Sequence, residues 1–163
     1  MPADDQGHKS IFAGNLSLMT DLAVYAGLFM TALVAATVLP MQSEAALVGL
    51  LLAGGQPPWL LVVVASAGNV LGAAINWMLG RGIERFRHRA WFPANADRLA
   101  RAQLWYRRYG RWSLLLSWVP FIGDPLTVIA GVMREPLPVF LLLVSIGKVG
   151  RYIVLAAVTL SAV

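Results

Sequence analysis

The sequence predicts an all-α integral membrane protein, built as an inverted-topology repeat of a re-entrant helical hairpin followed by a transmembrane helix. Two observations lead to this prediction. The chain is 58% hydrophobic and only 13% charged, with a mean hydropathy of +0.68, which is typical of membrane proteins. In addition, two similar segments about eighty residues apart each place one carboxylate within an apolar stretch.

The two segments align at an offset of 80 residues, and at 79 after one slip. The offset pairs Pro40 with Pro120 and Glu44 with Asp124. The other matches are Val48 with Val128, Pro58 with Pro138, Val64 with Val144, Ser66 with Ser145, Gly68 with Gly147 and Val70 with Val149. Repeats of broken apolar segments are typical of membrane transport folds, whose site lies where the breaks meet. Either an ancient duplication of the segment or chance would explain identities as sparse as these.

The first repeat begins after a polar N-terminal segment, residues 1–21, which has no charged-then-apolar signal pattern. Residues 22–163 are expected to form a single membrane domain. Within it, residues 45–53 provide only about 14 Å of helix, or half a bilayer. We therefore predict a hairpin over residues 22–55, broken at Pro40. Residues 22–39 are also long enough for a full span, which remains the alternative.

The second element is an uncharged span over residues 56–80, followed by a basic loop over residues 81–112. Nine of the thirteen Lys and Arg residues lie between Arg81 and Arg111, so residues 81–111 are expected to face the cytoplasm. Aromatic residues alternate with these arginines, as in an amphipathic stretch at lipid headgroups. They are Trp91, Phe92, Trp105, Tyr106, Tyr109 and Trp112. Nucleic-acid binding is not expected, because the flanks are membrane segments.

The second repeat contains a hairpin over residues 113–135 and a span over residues 136–160. Both legs of this hairpin are too short to cross a bilayer, and they are separated by the breaks Pro120, Gly123 and Pro125. Because one crossing separates the two hairpins, hairpin one enters from outside and hairpin two from the cytoplasm.

Glu44 and Asp124 are the two carboxylates of the repeat. An aspartate followed by a proline is typical of a helix start, so each acid could simply cap the returning half-helix. However, an acid within the membrane is costly and typically marks an ion or substrate path. We therefore predict a counter-ion or proton-coupling role for both.

Lys148 and Arg151 lie three residues apart near the middle of the last span. We predict that they bind an anionic lipid headgroup, assisted by Asn69 of the first span and by the positive N-terminal ends of the half-helices. A purely structural set of ion pairs with the two acids is the alternative. Gly68 and Gly72 have the G-x-x-x-G spacing of close helix packing.

Signals for enzymatic chemistry are weak. The two histidines, His8 and His88, lie in a polar tail and in the basic loop, away from the buried acids. The nucleotide-binding glycine motifs do not occur, and cysteine is absent. A magnesium ion held by the two acids would be disfavoured by the adjacent cations. The sequence therefore predicts no enzyme activity, no metal site and no cofactor.

Several short strings resemble the YqaA-like branch of the DedA superfamily, whose members share the VTT (SNARE-associated Golgi protein) domain. The strings are Leu39-Pro40 with Ser43-Glu44, Gly68-Asn69 through Gly80-Arg81, Arg108-Tyr109-Gly110, Leu116 to Pro120 with Gly123-Asp124, and Gly147-Lys148 with Arg151-Tyr152. The resemblance covers roughly residues 25 to 160. It implies two opposed re-entrant hairpins and a multi-pass location in the bacterial inner membrane.

The resemblance also implies lipid movement between leaflets, since relatives are associated with undecaprenyl phosphate recycling, the proton gradient and phospholipid scrambling. We therefore expect a flippase or scramblase for undecaprenyl phosphate or a phospholipid. Its partners would be membrane lipids, and so small a domain is a candidate for a homodimer. The alternatives are a non-transporting structural protein and a proton-coupled carrier of small ions. The main DedA branch has arginines where this chain has Ser117 and Gly123, which moves the cationic role to Lys148 and Arg151.

Overall fold

The computed structural model describes residues 4–36, 42–86, 104, 106, 108–119 and 122–162, which form helices joined by short turns. No strand occurs within these ranges. The helices are α1 (Asp4–Ala35), α2 (Gln42–Ala53), α3 (Pro58–Phe86), a 3-10 helix (Gly110–Trp118), α4 (Gly123–Val132) and α5 (Leu137–Ser161). The all-α prediction is confirmed for this part of the chain.

Three of the described helices are apolar and long enough to cross a bilayer. They contain the windows Ser17–Ala35, Pro58–Gly82 and Leu137–Ser161. At 1.5 Å per residue, each of the two 25-residue windows measures about 38 Å, more than the hydrocarbon core requires. The predicted spans 56–80 and 136–160 thus correspond to α3 and α5. The window in α1 favours the full-span alternative for the first segment.

The boundaries around the hairpins differ in part from those expected. Helix α1 begins at Asp4, so it runs through most of the polar segment 1–21. Of the predicted breaks, Pro40 and Pro120 lie outside the described residues, whereas Gly123 and Pro125 lie in the first turn of α4. The first leg of hairpin two is a 3-10 helix. Re-entry into the membrane and the inverted repeat remain predictions.

Glycines allow α3 to approach α1. A Cβ placed on Gly68 would lie 2.5 Å from the Phe29 carbonyl oxygen, and one on Gly72 would lie 2.6 Å from the Ala36 Cβ. Neither contact is sterically possible, so both positions require glycine at this helix separation. Close packing at the G-x-x-x-G spacing is therefore confirmed.

Glycines also allow α3 to approach α4 closely. Gly80 lies against the carbonyl of Val128, and Gly131 lies against the carbonyl of Trp77. A Cβ atom at either position would overlap a backbone carbonyl oxygen of the other helix. Hairpin two is thus held directly on α3.

Two apolar clusters share α3 and α5. The first joins these helices to α1 and α2, and the second joins them to the 3-10 helix and α4. The first contains Leu28, Ala32, Leu47, Leu51, Leu61, Ala65, Tyr152 and Ala156. The second contains Ala73, Trp77, Tyr106, Leu114, Ile129, Ala130, Phe140, Leu143 and Val144. The middle of α5, residues 148–151, therefore lies between the two apolar clusters, each of which contains residues of one predicted hairpin.

The basic segment contacts Glu135, which follows α4 at the end of the predicted second hairpin. The Tyr106 hydroxyl donates to Glu135 Oε2 at 2.7 Å, Arg111 lies 3.9 Å from Glu135 Oε1, and Trp77 Nε1 donates to the Glu135 carbonyl at 3.1 Å. Burial and the Glu135 carboxylate raise the pKa of Tyr106 above its ordinary value. Residues 87–103, 105 and 107 of the predicted loop, with Trp91, Phe92 and Trp105, lie outside the described residues.

Candidate functional site

Helix α5 carries the two predicted cations at its middle. Lys148 and Arg151 follow Leu137 by about 17 Å and 21 Å of helix. A three-residue step turns a helix by about 300°, so the two side chains diverge by about 60°. Each can therefore contact a different neighbouring helix.

Lys148 pairs with Asp124 in the first turn of α4. The Nζ atom lies 3.2 Å from Asp124 Oδ1 and also donates to Asn69 Oδ1 of α3. The Lys148 side chain is only 2% exposed, whereas that of Asp124 is 23% exposed. A buried cation with a counter-charge and a second acceptor is electrostatically satisfied, and it connects three helices.

Arg151 pairs instead with Glu44 in the first turn of α2. Its Nη1 atom lies 3.1 Å from Glu44 Oε1 and donates to the Trp118 carbonyl at 3.0 Å. The guanidinium also lies over the Tyr152 ring, 5.4 Å from the centroid. This pair is less buried than the other, with side-chain exposures of 15% for Arg151 and 23% for Glu44.

A chain of hydrogen bonds runs from the Lys148–Asp124 pair to Ser43, the residue that precedes Glu44 in α2. Asn69 Nδ2 donates to the Tyr152 hydroxyl at 2.7 Å, and this hydroxyl donates to Ser43 Oγ at 2.8 Å. Since Asn69 also accepts from Lys148, the polar path runs from Asp124 to the residue beside Glu44. The structure thus brings together all five predicted site residues: Asn69, Glu44, Asp124, Lys148 and Arg151. Their roles remain predictions.

The alternative in which Asp124 only caps its helix does not fit the structure. The N-cap of α4 is Ile122, which makes no side-chain capping hydrogen bond, and Asp124 is the second residue after it. The Asp124 carboxylate contacts Lys148 instead. The proline that follows is the third helical residue, so the helix starts two residues earlier than the Asp-Pro pair indicated.

Two buried donors near Arg151 have no hydrogen-bond partner among the residues that the structure describes. They are Arg151 Nε and Ser117 Oγ. A Cβ placed on Gly147 would lie only 2.9 Å from Ser117 Oγ, so this hydroxyl lies against α5 one turn before Arg151. Unsatisfied buried donors are rare in native structures, so these two groups call for an explanation such as an ordered water, an ion or a ligand.

Sequence reasoning did not assign a role to three contributors, Tyr152, Ser43 and the Trp118 carbonyl. Tyr152 lies one turn after Lys148 on the same helix face, and this spacing was a usable signal. Ser43 and Trp118 act through contacts between distant segments, which spacing does not reveal. In the described part of the chain, no group of three metal-ligating side chains is close enough to hold a metal ion.

Comparison with known proteins places this arrangement in a family. The family model described as the VTT domain matches residues 39–160. The chain is 39% identical over 132 residues to the Inner membrane protein YqaA of Escherichia coli K12, covering 81% of this chain and 88% of that protein. It is 38% identical over 136 residues to an uncharacterized protein of Haemophilus influenzae, covering 78% and 82% respectively.

No solved structure matches the chain at a significant level. The relative's name and the three apolar helices support a location in the bacterial inner membrane. The family model covers the whole site, from Glu44 to Tyr152. The chain therefore belongs to the VTT domain family, the DedA superfamily, within its YqaA branch.

Proposed function

We propose that this protein is a flippase or scramblase that moves a phosphate-bearing lipid, undecaprenyl phosphate or a phospholipid, between the two leaflets. The observation that carries the proposal is the Arg151–Glu44 pair, a partly exposed pair of charges at the middle of an apolar span. Charges at this depth are costly and typically mark a substrate or ion path. The association of the VTT family with membrane transport supports the same class.

The two cations have different tasks in this proposal. Lys148 is satisfied by Asp124 and Asn69 and is almost fully buried, so it holds α3, α4 and α5 together. Arg151 is more exposed, and its Nε–H donor has no hydrogen-bond partner in the described part of the chain, so it receives the lipid phosphate. A guanidinium suits this task because it offers several N–H donors to one oxyanion.

Glu44 would couple lipid binding to protons. While it is ionised, its carboxylate competes with a phosphate for Arg151, at 3.1 Å from Nη1. A proton on Glu44 removes the competing charge, and the cation then becomes available to the headgroup. Loss of the proton restores the ion pair and favours release of the lipid. Asp124 would be the second titrating acid.

The opposed hairpins would let the site face either leaflet. Helix α2 packs on α5, and so does the 3-10 helix, whereas α4 packs on the 3-10 helix and on α3. We propose that these short segments are re-entrant and related as an inverted repeat, so that small movements of each open the site to a different leaflet.

The proposal is tested with purified protein in liposomes that contain a fluorescent phosphate-bearing lipid. We expect leaflet exchange faster than in protein-free liposomes, without uptake of soluble ions. Exchange at the protein-free rate would contradict the proposal. Uptake of a soluble ion without lipid exchange would instead indicate a proton-coupled small-ion carrier.

A non-transporting structural protein is a second candidate, and the closed network around Lys148 favours it. If the ion pairs only hold the hairpins together, the exchanged pair Asp124→Lys with Lys148→Asp should restore folding that either single substitution impairs. Wild-type protein would then show no lipid exchange under any condition.

A further inference from the structure

Ser117 and Gly147 form a second contact between the 3-10 helix and the middle of α5. Ser117 is only 2% exposed, and its hydroxyl has no hydrogen-bond partner among the described side chains and backbone. Gly147 lacks a side chain, which lets the Leu115 carbonyl and the Ser117 hydroxyl approach the α5 backbone. The Ser117 hydroxyl is thus held in position by packing but makes no hydrogen bond within the described structure.

Arg151 projects from the same face of α5, one turn after Gly147. Its contacts with Glu44 and with the Trp118 carbonyl both use the Nη1 atom. The Nε–H group is buried and unpartnered within the described structure. Since Trp118 follows Ser117 directly, the backbone contact of Arg151 holds the guanidinium beside the serine.

The Ser117 hydroxyl contacts α5 at Gly147, and Arg151 extends from the same helix face one turn later, so both donors lie along one face of α5 beside a full positive charge. Leaving two buried donors unsatisfied costs free energy that a ligand oxygen would recover. The ligand chemistry that matches two donors and a cation is an oxyanion. Glu44 is the one carboxylate in contact with Arg151 among the described residues, and it would have to lose its charge or move aside.

We propose that Ser117 Oγ and Arg151 Nε together form an oxyanion subsite, with Ser117 as a headgroup-binding residue. The subsite would bind a phosphate group carried by a lipid. The inference rests on the proposed lipid movement, and it names the second donor of that site. Lys148 is not part of the subsite, because its contacts are already made with Asp124 and Asn69.

The chain offers a matched control on the same 3-10 helix. Ser113 is also 2% exposed, but its hydroxyl donates to the Gly110 carbonyl at 2.8 Å. Ser113→Ala removes the same atom at the same burial without touching Arg151. A difference between the two alanine variants therefore reports the unused hydroxyl rather than a loss of packing.

The test is equilibrium binding, measured by titration calorimetry on detergent-purified full chain. The probes are short-chain phosphatidic acid, inorganic phosphate and short-chain diacylglycerol, which lacks the phosphate. Loss of one hydrogen bond to an ionised group weakens binding by about tenfold. We expect this loss for phosphatidic acid in Ser117→Ala, and wild-type affinity in Ser113→Ala.

Arg151→Lys provides a second measurement that does not depend on the folding of the serine variant. It keeps the cation but removes Nε, so phosphatidic acid should again bind more weakly than to wild-type protein. Inorganic phosphate binding as tightly as phosphatidic acid would mean that the subsite takes a free anion, and would overturn the lipid assignment. Diacylglycerol should not bind measurably.

Wild-type affinity in both Ser117→Ala and Arg151→Lys would overturn the subsite. If lipid exchange in liposomes persists in that case, the proposed function stands without this subsite. If wild-type protein neither binds phosphatidic acid nor exchanges lipid, the proposed function fails as well.

Discussion

Lys148 and Arg151 have the same charge and neighbouring positions, but their surroundings give them different roles. Lys148 is enclosed by Asp124 and Asn69, whereas Arg151 retains partial exposure and an unused donor in the described region. Removing one partner of a buried ion pair leaves the other charge uncompensated. The free energy lost in this way exceeds the net stabilisation that the intact pair provides. The two positions should therefore respond differently to substitution.

We expect Lys148→Met to destabilise the protein by about 3 kcal/mol, because Asp124 loses its counter-charge and Asn69 loses a donor. The measurement is thermal unfolding in detergent. Arg108→Gln, which removes an exposed cation away from the site, serves as the control and should unfold as wild-type protein does. Equal stability of Lys148→Met and wild-type protein would show that the buried pair does not hold the helices together.

Glu44→Gln should strengthen binding of short-chain phosphatidic acid by about threefold to fivefold. The substitution removes a negative charge 3.1 Å from Arg151 Nη1 but keeps the side-chain shape, and partly exposed ion pairs contribute up to about 1 kcal/mol. Titration calorimetry at neutral pH measures the change. Weaker binding in this variant would mean that Glu44 orients Arg151 rather than competing with the ligand.

The residue types of the site could be predicted from the sequence, but the pairing could not. Charged residues within apolar runs are visible in a hydropathy profile, and this is how Glu44, Asp124, Lys148 and Arg151 could be chosen from the sequence. Which acid faces which cation depends on the roughly 60° divergence of Lys148 and Arg151 and on the approach of two separate helices. The Tyr152 hydroxyl, which connects Asn69 to Ser43, could be suspected only from its spacing.

At the scale of elements, glycines set how closely the helices approach. Gly147 lies under the 3-10 helix, whereas a Cβ at Gly150 on the same helix would meet nothing within 4 Å. The first glycine determines the position of Ser117, and the second has no packing role among the described residues. Substituting Gly147 and Gly150 in turn therefore separates the effect of close packing from the effect of helix propensity.

Gly147→Ala should destabilise the protein by about 1–3 kcal/mol, because the added methyl group would lie 3.0 Å from the Leu115 carbonyl oxygen. Gly150→Ala should be neutral or stabilising by up to about 1 kcal/mol, since alanine favours helix. Unfolding of both variants in the same detergent checks the difference. If the two variants unfold alike, the close approach of the 3-10 helix to α5 is not required.

The element boundaries could be predicted well only for the long apolar runs. Helices α3 and α5 match their predicted spans because length and hydropathy dominate there. Helix α1 extends further toward the N-terminus than expected, and the first leg of hairpin two is a 3-10 helix. The 3-10 helix packs on α4 and α5, and contacts of this kind between separate segments are not visible in the periodicity of the sequence.

At the scale of the whole molecule, the central requirement is that α3 crosses the membrane once between the two predicted hairpins. Gly55 lies just before this helix, and Arg111, which is 59% exposed, lies after it. Because the chain contains no cysteine, single cysteines at these two positions would be the only thiols present.

We expect Gly55→Cys to react with a membrane-impermeant thiol reagent added to spheroplasts, and Arg111→Cys to react only after the membrane is opened. The positive-inside tendency predicts a cytoplasmic location for the arginine-rich segment. Labelling of both cysteines from the same side would exclude a single crossing by α3 and, with it, the inverted arrangement of the hairpins.

The most direct test of the account is the rate of leaflet exchange of a phosphate-bearing lipid in liposomes containing Arg151→Gln, compared with wild-type protein and with Arg108→Gln. All three proteins should first be shown to be folded and monodisperse in detergent. Exchange should fall to the protein-free rate in Arg151→Gln and be retained in Arg108→Gln. A folded Arg151→Gln protein that exchanges lipid at the wild-type rate would contradict this expectation.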